Sequence, residues 1–191
     1  MKIALFVEGQ SDKETLTILV KKILGEHASV IPRVFRGKGN LLNEQKVYSS
    51  ITYLVQEHPD VSKIIVCVDS ECTPEDQTEQ EIKKVEKSIK SKIQQRHPVY
   101  YVGVIHALEG WLLADPDAVT EHLGPKMKVN IPHQATLDCK PKEVIKDIFR
   151  KADKEFIALL HNPRIAEKID IDKMANQNKS FARFRERIKD P

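Results

Sequence analysis

The chain has 191 residues, 31 Lys plus Arg against 28 Asp plus Glu, a formal net charge of +3 and 40% hydrophobic residues. It is long enough to bury a core without disulfide or metal staples, and its composition excludes a disordered or fibrous protein. No apolar run approaches the ~20 residues of a membrane-spanning helix, and residues 2–7 run straight into Glu8 without the apolar region and cleavage site of a signal peptide. A cytoplasmic protein with no membrane partner is therefore expected. Cys67, Cys72 and Cys139 include no Cys-x-x-Cys pair, so reduced thiols are expected rather than a disulfide framework or a zinc site.

Residues 2–7 are too short for a stable helix and read as a buried strand ending at Glu8-Gly9. With Ser11 as the expected cap, Leu16, Leu19, Val20 and Ile23 then recur at helical spacing up to Gly25. A second strand is predicted at Val30–Phe35, on an edge because of Pro32. After the loop Arg36-Gly37-Lys38-Gly39-Asn40, a helix is predicted from Leu41 to Glu57, stopped by His58-Pro59. Lys63–Val68 is the strongest strand, β-branched and apolar on both faces, and it delivers Asp69-Ser70-Glu71 at its end. A charged helix over Pro74–Arg96 leads to a strand at Val99–Ile105, which ends at His106-Ala107-Leu108-Glu109. Further helices are predicted at Gly110–Leu123 and Pro141–Leu160, joined by a connection over Gly124–Cys139 and followed by short helices. This alternation implies an α/β fold with a mostly parallel sheet, helices on both faces and a C-terminal helical extension.

Acidic residues finish three strands: Glu8 with Asp12, Asp69 with Glu71, and Glu109 after His106. Each cluster by itself suits a turn or a helix cap. A parallel sheet, however, aligns its strand ends along one edge, where ligands bind and where hard oxygen donors suit Mg²⁺ or Mn²⁺. His106 beside that edge is a candidate for contacting a phosphate or protonating a leaving group. Arg36 and Lys38 offer two cations for phosphate, although their loop matches neither a Walker loop nor a dinucleotide fingerprint. Trp111 is expected to anchor the C-terminal helices to the sheet. Between Lys179 and Lys189, Phe181, Phe184 and Ile188 form an apolar stripe expected to pack inward, leaving Lys179, Arg183, Arg185 and Arg187 as a nucleic-acid-binding surface.

Phe6-Val7-Glu8-Gly9-Gln10-Ser11-Asp12, then a helix, a Gly-containing loop and Ile64–Glu71, resemble the Toprim domain of topoisomerases, primases and several nucleases. The resemblance covers about residues 1–110 and implies a catalytic domain there, with residues 111–191 packed on it as a helical extension. It implies that Glu8 is a general acid or base and that Asp69 and Glu71 hold Mg²⁺, Glu71 departing from the family's usual Asp. The Glu8 to Asp12 spacing is similar to that of two-metal nucleases of the overcoming-lysogenization-defect type, with Glu109 completing a second position. The catalytic Lys of the larger nucleases matches no single position. Glu109-Gly110-Trp111-Leu112-Leu113-Ala114-Asp115 resembles stand-alone Toprim-like prokaryotic proteins, which implies mobile-element or phage-defence contexts. The resulting expectation is a Mg²⁺- or Mn²⁺-dependent phosphodiester hydrolase acting on DNA or RNA, with Glu8, Asp69, Glu71 and His106 catalytic. The alternative is a Toprim-like binding module acting with nucleic acid or a partner ATPase.

Overall fold

Strands β1 (Lys2–Val7), β2 (Ser29–Val34), β3 (Lys63–Asp69) and β4 (Val99–Val104) form one all-parallel sheet in the order β2-β1-β3-β4. The structure is a computed structural model that describes residues 1–93, 97–124, 129, 131 and 139–190. Pro32 lies on the edge strand β2, where a missing N–H leaves the outer side of the ladder rather than its centre incomplete.

Alternation along the strands builds two cores. On one face Ala4, Phe6, Ile64, Val66 and Val68 pack with α3 (Glu44–Glu57) and α4 (Glu75–Lys92), beside the four-residue α2 (Lys38–Leu41). On the other, Ile3, Leu5, Val7, Ile65 and Cys67 meet α1 (Gln10–Leu24) and the helices that follow β4. These are α5 (Leu108–Leu112), α6 (Pro116–Leu123), α7 (Pro141–Lys151), α8 (Ala158–Lys168), α9 (Ile171–Gln177) and α10 (Lys179–Lys189). The helices beyond residue 110 thus share one hydrophobic cluster with the sheet, and α5 straddles that position.

Several predicted elements divide. The helix expected over residues 41–57 becomes α2 and α3, because Asn43 caps α3 by accepting the Lys46 N–H at 3.0 Å. That expected over 110–123 breaks before Pro116, which opens α6. The one expected over 141–160 stops at Lys151, where Asp153 turns to φ +53° and the Ala152 and Lys154 N–H groups both close on the Phe149 carbonyl. Most of the connection expected over 124–139 lies outside the described residues, as do residues 94–96 of the helix expected over 74–96.

The C-terminal helix is anchored as its spacing predicts. Phe181, Phe184 and Ile188 are fully buried, and Trp111 packs against both rings at 5.2 Å between centroids while its Nε1 donates to Ser180 Oγ at 2.7 Å. Lys63 is also fully buried, which its strand pattern does not foretell. Its ammonium donates to the carbonyls of Arg187, Ile188 and Asp190, capping the negative end of α10. Among the described residues, no helix is long and apolar enough to cross a membrane.

Candidate active site

The C-terminal ends of β1 and β3 lie side by side, and Glu8 Oε1 accepts the backbone N–H of Asp69 at 3.1 Å. Asp12 lies in the first turn of α1, where its Oδ2 accepts the Gly9 N–H at 2.9 Å. The expected cap, Ser11, is inside the helix; Gly9 stands at the cap because Asp12 reaches back to its N–H. Glu109 lies on α5 and is 2% exposed, the most enclosed of the sequence-predicted acids.

These carboxylates share one electrostatic neighbourhood. Burial, followed by repulsion from Asp12, Glu8 and Glu109, holds Asp69 well above the ordinary range. Burial also raises Glu8, opposed by the Asp69 N–H and reinforced by Asp12 and Glu71. Asp12 and Glu109 are raised by burial too, against the Gly9 N–H and Lys142 for the first and against Lys142 and Asn162 for the second.

Lys142 and Asn162 are the site residues that sequence reasoning missed. Lys142 belongs to the first turn of α7, just after Pro141. Desolvation pushes its ammonium down, but the combined attraction of Glu109, Asp69, Asp12 and Glu8 outweighs this and raises it. It lines a cleft of about 460 Å³ together with Glu8, Asp69, Glu71 and Glu143. Asn162, on α8, is fully buried and donates through Nδ2 to Glu109 Oε1 at 2.9 Å and to Ser11 Oγ at 3.1 Å. A signal for Asn162 exists in the sequence: it shares a helix face with Ile165 and Ala166, and an amide on such a face needs polar partners. Lys142 carries no comparable signal, since its place depends on how α7 docks.

Glu71 is exposed on the cleft rim in a left-handed conformation, φ +54°. His106 grips this turn from both sides: its carbonyl accepts the Glu71 N–H at 2.7 Å, and its Nδ1 donates to the Glu71 carbonyl. Such a backbone persists where its surroundings over-determine it. His106 therefore holds the loop that carries Glu71 and does not line the cleft. Cys72, the next residue, is disulfide-bonded to Cys139, so the expectation of reduced thiols is corrected for this pair; Cys67 is free and buried. The two ends of the bridge adjoin Glu71 and the segment leading to Lys142. Spacing in sequence concealed the pair because 67 residues separate its members.

The predicted phosphate-binding cations divide into two groups. The Gly37 N–H donates to the Glu8 carbonyl at 3.4 Å, which brings the Arg36 loop to the strand-end edge. Arg36 is exposed there, while Lys38 Nζ reaches Ser70 O at 3.3 Å and Thr73 Oγ1 at 3.4 Å. On α10, Lys179 is exposed, but Arg183 pairs with Glu75 and Glu79 of α4, and Arg185 pairs with Asp172 of α9. Arg187 pairs with Asp190 at 3.3 Å and lies over the Tyr100 ring at 5.1 Å. Three of the four cations assigned to a nucleic-acid surface are thus engaged within the chain.

Among the described residues, no group of three or more His, Cys, Asp or Glu side chains is placed so that it could hold a metal ion. The donor chemistry nevertheless fits a hard divalent cation, being all carboxylate oxygen. Among the described residues, buried Glu109 Oε2 has no hydrogen-bond partner, and the raised carboxylates act on Lys142. A family model described as a domain of unknown function (DUF4276) matches residues 7–189. No curated protein and no solved structure matches the chain.

Proposed function

The chain belongs to the DUF4276 family, and we propose that it is a Mg²⁺- or Mn²⁺-dependent phosphodiester hydrolase acting on nucleic acid. One observation carries this reading: at the strand-end edge Glu8 Oε1 meets the Asp69 N–H and both acids line one cleft with Glu71 and Lys142, while burial raises the carboxylates of Glu8, Asp12, Asp69 and Glu109. Charge concentrated at such a cost to folding suits a cation and the phosphate it would bind. The Toprim resemblance of residues 1–110 supports the same reading and the choice of nucleic acid as substrate.

Glu8 and Asp69 would hold the cation beside the cleft, with Asp12 and Glu109 behind them and Glu71 on the rim. When bound, the cation supplies Lewis-acid stabilisation of charge on the phosphate. Glu8, whose carboxylate burial makes more basic, is suited to take a proton from the attacking water. The water oxygen bonds to phosphorus, the ester P–O bond breaks, and the departing oxygen leaves with its electron pair and is then protonated. Lys142, in the same cleft, opposes the negative charge that builds on the phosphate. Arg36, exposed on the loop that meets Glu8 through the Gly37 N–H, would extend the positive contact toward the flanking backbone.

The test is incubation with single- and double-stranded DNA and RNA under Mg²⁺ and Mn²⁺. Cleavage by the wild-type chain is expected to fall by about 10²–10⁴ in Glu8→Gln and in Asp69→Asn. No cleavage of any of these substrates, or cleavage that survives both substitutions, overturns the assignment.

A further inference from the structure

We propose that Asn162 is a positioning residue of this site, fixing the Glu109 carboxylate and leaving its second oxygen to face a cation. The inference rests on the divalent-cation reading above and names a residue outside the carboxylate set.

An ionised carboxylate only accepts hydrogen bonds, so the amide must turn its NH₂ toward Glu109. It does so at 2.9 Å, and the same nitrogen reaches Ser11 Oγ at 3.1 Å. One amide thereby ties together α8, α5 and the first turn of α1, which also bears Asp12. With Oε1 occupied, Glu109 Oε2 has no partner among the described residues, nor does Asn162 Oδ1, and both residues are at most 2% exposed. An apolar side chain at this position on α8 would avoid the unpartnered Asn162 Oδ1 but would strip buried Glu109 Oε1 of its donor. The amide is explained by the carboxylate it holds, as partners that orient metal-binding groups usually are.

The experiment titrates the full-length chain with Mn²⁺ and reads free Mn²⁺ by electron paramagnetic resonance. Asn162→Leu keeps the approximate shape and removes the donor; Asn162→Ser returns one donor. Thermal melting reports folding in each. Binding about 10- to 100-fold weaker is expected for N162L, with partial recovery in N162S. Unchanged affinity in N162L, or equal loss in N162L and N162S, overturns the role. Should N162L fail to fold, N162S is compared with Asn162→Ala, and equal affinity of those two overturns it. A wild-type chain that binds no Mn²⁺ overturns the cation reading itself, and this role with it.

Discussion

Both the strand-end edge and α10 are rich in charge, yet they treat it oppositely. On α10, Arg183, Arg185 and Arg187 each meet a carboxylate of the same chain, so the basic run serves to clamp the helix to α4, α9 and its own C-terminal end. At the edge, the acids are gathered around Lys142, and burial raises every one of Glu8, Asp12, Asp69 and Glu109. Charge that is paired within the chain explains itself as structure. Charge that the fold gathers against its own repulsion calls for something outside the chain.

Lys142→Met tests the edge most severely. Turnover of a cleaved nucleic acid is expected to drop by about 10²–10³, the usual cost of removing one group that faces developing charge. Mn²⁺ binding in the same variant should be kept or tightened, because the cation competing for the carboxylates is gone. Unchanged turnover would reduce Lys142 to a counter-charge.

A smaller effect is expected on the stability of the metal-free chain. Asp69 is raised in the fold, so the folded chain retains a proton that the unfolded chain has released. Stability therefore falls as pH rises from the ordinary carboxylate value of 3.8 through the raised one. Urea unfolding in EDTA at several pH values from about 4.5 to 7, compared between wild type and Asp69→Asn, isolates this contribution: the variant's profile should be flatter. Parallel profiles would remove the combined burial and repulsion at Asp69 on which the contrast with α10 depends.

The mildest outcome is predicted on α10. Arg183→Gln should cost no more than about 1 kcal/mol in denaturant unfolding, since its ion pairs are largely open to solvent. It should also change the salt dependence of nucleic-acid binding by much less than the slope of about 1 expected for a lysine or arginine that contacts phosphate. A full unit of slope would return Arg183 to the binding surface.

The parallel order of strands and helices, the edge position of Pro32, the inward stripe of Phe181, Phe184 and Ile188, and the anchoring by Trp111 were all legible in the sequence. Each depends on local periodicity or on the shape of a single side chain, which neighbouring residues express directly. The acids at the strand ends were legible as candidates for the same reason, since a strand shows where it stops. Tertiary structure alone decided how these charges are partnered. It brought Lys142 to the edge through the docking of α7, set Asn162 against Glu109 across 53 residues, joined Cys72 to Cys139 and turned the arginines of α10 inward onto Glu75, Glu79 and Asp172. A charge acts through space, and no local pattern records which distant residue the fold will place beside it.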